Sequence, residues 1–395
     1  MAIVPSETAA IRLSAEDTGE GRHGTWFRGE HTHFNPSCGQ MIDEHAVTDQ
    51  VLKGWLPDAK PIKPDTKITA FGSCFASNIS DWLSKRNFRV LNKGQDATRA
   101  YVVTMGEGMV NSFVIRQQFE WAWEGRVFDQ PLWHGYKAEE FGYDPEIQAE
   151  TKRIFDETDV FILTFGLSEV WYDEPTGNVF WRTIPKEVYD PCRHKFRVST
   201  VAENRKNLAA IYKLIRKHRP DAKIIFTLSP IPLIATFRDN SCLTSNSVSK
   251  SVLRVAIDEV VRAFGHEEHL FYWPSYEIVT DIFKSPWKPD RRHPQTRVLR
   301  YIMTLFEHHW CDSPADNPAP DLRIAWARAC AVSGLLPYEM EDILHRRRKF
   351  RLRRTLNSDF RFDPDDDLHA AKHAFMKGIL ADWDAEDTAR QKEAS

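Results

Sequence analysis

The stretch Asp159-Val-Phe-Ile-Leu-Thr-Phe-Gly166 decides the fold. It is a continuous apolar run stopped by a glycine, without the alternation of a half-exposed strand. Both of its faces must therefore be buried, which is the pattern of a central strand in a parallel sheet covered on both sides. The runs Lys67-Ile-Thr-Ala-Phe-Gly72 and Ala222-Lys-Ile-Ile-Phe-Thr-Leu-Ser-Pro230 repeat it, and Leu270–Trp273 is a shorter, last version. Phe88–Leu91 reads as a short second strand. Helical spacing lies between these runs. Ala76–Arg86 places Ile79, Trp82 and Leu83 on one face, and Val201–His218 turns Leu208, Ile211, Leu214 and Ile215 inward. Ser247–Phe264 is a further helix, and Pro294–Trp310 is a last one whose proline suits a first helical position. Strands alternating with helices predict an α/β fold with a parallel sheet.

Two segments interrupt the alternation. In residues 92–157, Tyr101–Met105 is expected to be extended, and Ser112–Trp123 helical, ending at Gly125. Residues 172–200 read as a loop. The polar, irregular residues 1–62 form an N-terminal arm, residues 63–312 the α/β domain and residues 313–395 a helical C-terminal extension behind the linker Asp316-Asn-Pro-Ala-Pro-Asp. In that extension the basic run His345–Arg354 and the acidic run Asp363–Asp367 read as solvated, mutually paired faces.

Composition narrows the function. The chain has 395 residues, 42% hydrophobic and 28% charged, which is enough to bury a large core. A formal net charge of −3 argues against general polyanion binding, so no nucleic-acid partner is expected. Thirteen Trp and 24 Phe suggest an aromatic core, with Trp171, Trp181 and Trp273 able in principle to stack a sugar. No apolar stretch is long enough for a membrane span, and no secretory signal is visible at the N-terminus. The six cysteines, Cys38, Cys74, Cys192, Cys242, Cys311 and Cys330, contain no C-x-x-C pair, so reduced thiols in a cytoplasmic protein are expected. His266-Glu-Glu-His269 has the wrong spacing for a metal helix motif, His31-Thr-His33 lies in the arm, and no phosphate-binding glycine loop follows a strand. No metal and no cofactor are expected.

Chemistry gathers beyond the carboxyl ends of parallel strands. Four segments arrive there: Gly72-Ser-Cys, Gly166-Leu-Ser-Glu169, Ser229-Pro-Ile-Pro and Asp290-Arg-Arg-His293. Asp290 can accept the imidazole Nδ1–H of His293, leaving Nε2 to face a nucleophile. Either Ser73 or Cys74 can be that nucleophile. The thiol is intrinsically better, and a helix N-terminus or an imidazolium favours its thiolate; the hydroxyl needs His293 as a full general base. A helix-capping serine and a small buried thiol would account for the same two residues without chemistry.

Phe71-Gly-Ser-Cys-Phe-Ala76 resembles the namesake motif of the GSCFA domain family, which belongs with the SGNH/GDSL-type hydrolases. Gly166-Leu-Ser-Glu-Val-Trp171, Leu228-Ser-Pro-Ile-Pro232, the helix opening Ser249-Lys250-Ser251-Val252-Leu253-Arg254, Pro274-Ser-Tyr-Glu277 and Asp290-Arg-Arg-His-Pro294 extend the resemblance over roughly residues 50–310. It implies a flavodoxin-like three-layer α/β/α sandwich and an esterase or O-acyltransferase acting on a carbohydrate or similarly polar substrate. Aligning the glycines of the first turn puts Cys74 at the nucleophile position, with Ser73 one residue away. Asp290 and His293 match the late D-x-x-H. Gly166, Ser168 and Glu169 stand where the family has its Gly-x-Asn turn, with Ser168 in place of the asparagine; Gly94, Gly108 and Asn111 are candidates for the remaining oxyanion or binding position. The implied partners are a small-molecule or glycan substrate and an acyl donor, and a non-hydrolytic protein binding either is the alternative. The oligomeric state is left open.

Overall fold

In the computed structural model, described residues comprise 45–333 except 94–98, 136, 266–267 and 284, together with short N-terminal stretches and scattered positions between 353 and 388. Residues 1–41 form a unit of their own. Within it β1 (Ile3–Pro5), β2 (Ala10–Leu13) and β3 (Thr25–Phe27) pair as an antiparallel meander, so the stretch read as irregular contains a sheet.

In the second unit, β4 (Ile68–Phe71), β5 (Val160–Phe165), β8 (Lys223–Leu228) and β9 (Leu270–Trp273) form a parallel sheet in that order. The expected second strand is reduced to one parallel bridge, Val90 to Ile68, on the outer edge of β4. The chain turns into a short 3-10 segment at Leu91–Lys93 instead of pairing further. Counting that bridge, the order is the flavodoxin-like 2-1-3-4-5.

Every residue of β4 and β5 is buried, as a doubly covered sheet requires. One face presents Phe71, Phe161, Leu163, Phe165, Phe226 and Tyr272 to α4 (Ser112–Glu124), α5 (Pro145–Glu157), α6 (Val201–His218) and α7 (Cys242–Phe264). The aromatic residues go here. Phe119 packs on Phe155 at 4.6 Å and edge-on against Phe161 at 5.5 Å. Tyr101 stacks on Trp121 at 5.6 Å, beside Trp133 and Trp181. Burying each such ring contributes roughly 1.5–3 kcal/mol. Trp181 and Trp273 are fully buried and therefore core, which removes both as sugar platforms; Trp171 is half-buried. The opposite face is covered by α2 (Cys74–Lys85), α8 (Ser275–Ile282) and α9 (Thr296–Trp310), with Trp273 against Phe306 at 5.2 Å and Phe271 against Trp310 at 5.3 Å.

Local signals set the helix ends. Asn111 caps α4, which stops at Gly125 in the left-handed conformation. Asp144 caps α5 with Pro145 behind it, and Thr200 with Glu203 forms a capping box on α6. Four expectations are corrected. Tyr101–Thr104 is a helical turn, α3, rather than extended. The 172–200 region is not all loop: β6 (Glu169–Asp173) pairs antiparallel with β7 (His194–Val198). Pro294 lies in an antiparallel bridge with Trp287, so α9 starts two residues later. Finally α7 starts at Cys242 rather than Ser247, with Ser241 as its cap. Where the extension is expected to be helical, α10 (Leu322–Ser333) follows α9, and its Trp326 packs on Phe283 and Tyr301. Residues 45–62 belong to the second unit and run through α1 (Ala46–Gln50), and Ile62 bridges to Cys311.

Candidate active site

β4 ends at Gly72, whose φ of +133° and position against β5 admit no side chain: a Cβ would penetrate the Thr164 carbonyl. The Gly72 N–H donates to Gly106 O at 2.8 Å. The sharp turn puts Ser73 at the N-cap of α2 and Cys74 in its first turn. Ser73 is buried, and its Oγ accepts the Phe75 N–H at 3.1 Å, the geometry of a cap. Cys74 is half-buried. Burial pushes its thiol up, and the negative charge of Glu107 adds to that; Arg292, its own backbone N–H and Lys250 offset part of the rise. As an N-terminal helical N–H, that of Cys74 has no intrahelical acceptor.

Behind this turn the 106–111 segment and the end of β5 are laced together. Val110 O accepts from Gly166 N–H at 2.7 Å and Leu167 N–H at 3.2 Å, and Gly108 N–H donates to Met105 O at 2.9 Å. Ser168 N–H donates to Ser249 Oγ at 2.8 Å, while Ser168 O accepts from Ser199 Oγ at 2.8 Å. The backbone N–H groups of Gly108, Gly166 and Ser168 are thus engaged within the protein. Two side-chain donors remain. Ser168 Oγ is buried with no hydrogen-bond partner. Asn111 uses Oδ1 to cap α4 through Val114 N–H at 3.0 Å, which leaves its Nδ2 as a donor. Glu169 is buried and accepts the Thr236 hydroxyl at 2.9 Å on both oxygens, a tie between β6 and the loop after β8.

The third component is the closed loop 286–295. Lys288 N–H donates to His293 O at 2.8 Å, Gln295 N–H to Pro286 O at 2.7 Å, and Arg291 takes a φ of +56° to make the bend. Asp290 Oδ1 accepts the backbone N–H groups of Arg292 and His293 at 3.0 and 3.1 Å, and Oδ2 bonds His293 Nδ1 at 2.6 Å. The His293 ring, followed by those two backbone donors, holds the Asp290 carboxyl well below the usual carboxylate range. With Nδ1 committed, Nε2 is the nitrogen left for chemistry.

Arg292 links the distant segments. Its charge is felt at Cys74 and at the buried Lys250, so a loop roughly two hundred residues later in the chain lies within electrostatic reach of the first turn. Among the described residues no hydrogen bond joins His293 to Ser73 or Cys74; Asp290 holds the ring instead. Lys250, Arg292 and Glu107 are charged neighbours of the thiol that the sequence reading did not single out. Two of them had a signal: Lys250 in the run Ser249–Arg254 and Arg292 inside Asp290-Arg-Arg-His-Pro294.

Compared with known protein families, residues 67–306 match the GSCFA family, more than half of the chain. This chain belongs to the GSCFA family. The GSCFA region starts one residue before β4 and ends inside α9, so it holds every segment of the candidate site. No curated protein matches the chain. Among the described residues no helix is long and apolar enough to cross a membrane, and no cluster of His, Cys, Asp and Glu is arranged to hold a metal. His266, His31, Gly94, Cys38 and the acidic run Asp363–Asp367 lie outside the described residues, as does the basic run 345–354 apart from Arg353.

Proposed function

We propose that this GSCFA protein is an acyl-transfer enzyme, an esterase or O-acyltransferase of the SGNH-like type, that works through a thioester on Cys74. The observation that carries the reading is the 2.6 Å Asp290–His293 pair on a loop whose next-door Arg292 is felt at Cys74. The capping bond of Ser73 Oγ favours Cys74 over Ser73 as nucleophile. The raised thiol calls for a base in the attacking step rather than a standing thiolate.

In the first half-reaction His293 Nε2 takes the Cys74 proton while sulfur bonds to the acyl carbon and the carbonyl electron pair moves to oxygen. Collapse expels the alcohol, which leaves with the proton from Nε2, and the acyl group stays on sulfur. In the second half-reaction water or an acceptor hydroxyl gives its proton to Nε2 and its oxygen takes the acyl group. Sulfur departs and recovers the proton. Asp290 fixes the tautomer throughout. The oxyanion donors in this reading are the Cys74 N–H, Ser168 Oγ and Asn111 Nδ2. A carbohydrate-like substrate follows from the SGNH/GDSL resemblance. Half-buried Trp171, with the exposed Tyr189 and Phe237 edge-on to it at 5.8 and 5.1 Å, is the surface that supports it.

The test is ester hydrolysis and covalent labelling with iodoacetamide and a fluorophosphonate. Cys74→Ala should remove both turnover and the iodoacetamide adduct at this position, and His293→Ala should remove turnover. Labelling and turnover that survive His293→Ala unchanged would show the triad to be wrong. Glycan or acyl-donor binding without turnover would establish the non-hydrolytic alternative.

A further inference from the structure

Lys250, in α7, is 1% exposed. Its Nζ donates to three backbone carbonyls: Gly166 at 2.9 Å, Ser229 at 2.8 Å and Ile231 at 2.7 Å. Those carbonyls belong to the turns after β5 and β8. Among the described residues no carboxylate lies within ion-pair distance of it. Lysine is almost never fully buried unless paired, because desolvating its charge is costly. An apolar residue would fill this place without that cost, so the charge calls for an explanation.

The cage itself says which form it holds. An ammonium has three N–H donors and meets three carbonyls; a neutral amine has two, and its lone pair would face the third carbonyl. The cage therefore works against burial, which pushes Lys250 down to about 7. Cys74 favours the charged lysine, while Arg292 opposes it. In the other direction burial and then Glu107 raise the thiol, and Arg292 and, last, Lys250 lower it. The neighbouring Ser249 holds Ser168 N–H, so two consecutive residues of α7 grip opposite sides of the turn after β5.

We infer that Lys250 is the positioning cation of the Cys74 site: it clamps the turns after β5 and β8 and holds a buried positive charge that stabilises negative charge on the Cys74 sulfur. This deepens the acyl-transfer reading and rests on Cys74 being its nucleophile. Because the charge is buried, salt screens it little.

The experiment is the pH profile of Cys74 alkylation by iodoacetamide, followed by peptide mass spectrometry, in the wild-type chain, Lys250→Met and Lys250→Arg. Lys250→Met should move the midpoint up and lower the alkylation rate at neutral pH by about two- to threefold. Lys250→Arg should restore the wild-type rate, a cation being again present. A folded Lys250→Met protein with an unmoved profile would reduce Lys250 to a structural tether and overturn the proposal. If Lys250→Met does not fold, carbon-13 NMR of the lysine side chains in the wild-type and Cys74→Ala proteins decides. Loss of the thiol should lower the Lys250 midpoint, and an unmoved midpoint overturns the proposal. Turnover is read separately: if Cys74→Ala keeps full esterase activity the acyl-transfer reading fails, while the alkylation profile still decides the coupling of Lys250 to Cys74.

Discussion

The turns after β4 and β5 begin alike, each a buried strand ending in glycine, yet they end in opposite states. After β5 the polar backbone is engaged: Gly166 and Ser168 donate to Val110 and Ser249 and accept from Lys250 and Ser199. After β4 only the framework is engaged, through Gly72 N–H and the Ser73 cap, while the Cys74 side chain is half-exposed. In the proposed reading one turn is a fixed support and the other carries the reactive atom. A strand-end glycine marks a place where function can sit; which turn holds it is decided by the atoms left without partners.

The largest effect that would break this contrast is chemical. Cys74→Ala should lower ester hydrolysis by about a thousandfold or more while shifting thermal stability by less than about 1 kcal/mol, because a half-exposed thiol contributes little packing. Equal losses of activity and stability, read by kinetics and calorimetry, would make Cys74 a core residue. Next, Gly72→Ala should cost about 3–5 kcal/mol in denaturant unfolding, since the new methyl meets the Thr164 carbonyl in a backbone region closed to side chains. Gly125→Ala, whose Cβ meets nothing, should cost about 1 kcal/mol for its positive φ alone.

Asp290→Asn should reduce turnover by about tenfold to a hundredfold through misorientation of His293. Acid should do the same reversibly. The folded-state carboxyl is depressed, so its bond to His293 is fully present above the ordinary carboxylate range and is lost only as pH falls through the lower folded value. Nitrogen-15 NMR of the His293 ring should show Nδ1 still bonded at pH 4; release near the ordinary Asp value would contradict the structure. The smallest effect is at Glu107. Removing its charge with Glu107→Gln should lower the thiol and raise alkylation at neutral pH by about two- to threefold, with the gain shrinking in high salt.

Much of this architecture was legible. The four sheet strands announce themselves as unbroken apolar runs, because a doubly covered strand has no polar face. The β6–β7 pair escaped because Glu169-Val-Trp-Tyr-Asp173 mixes acids with aromatics and His194–Val198 is nowhere fully buried, so neither shows a period. α3 escaped because Tyr101-Val-Val favours strand locally, and tertiary packing overrides it. Asp290 and His293 were legible as a spacing, and their hydrogen bond is present. Lys250 was legible only as part of a motif, since a lysine on a helix reads as solvent-facing until three carbonyls from other segments are placed around it. The engagement of the Gly108, Gly166 and Ser168 N–H groups was not legible for a related reason: which backbone donors find partners is a property of the assembled turns.

Glu307, fully buried near the end of α9, accepts Trp82 Nε1 at 2.9 Å and the Arg86 guanidinium at 3.2 Å. Two helices are thereby fastened at their far ends, one starting at the thiol and the other starting just past the imidazole. In the acyl-transfer reading, the approach of sulfur to ring nitrogen then depends on a joint about 12 Å down α2 from Cys74, at eight residues and 1.5 Å per residue. A substitution at that joint touches neither side chain, yet it would open or narrow the jaws in which that reading sets them.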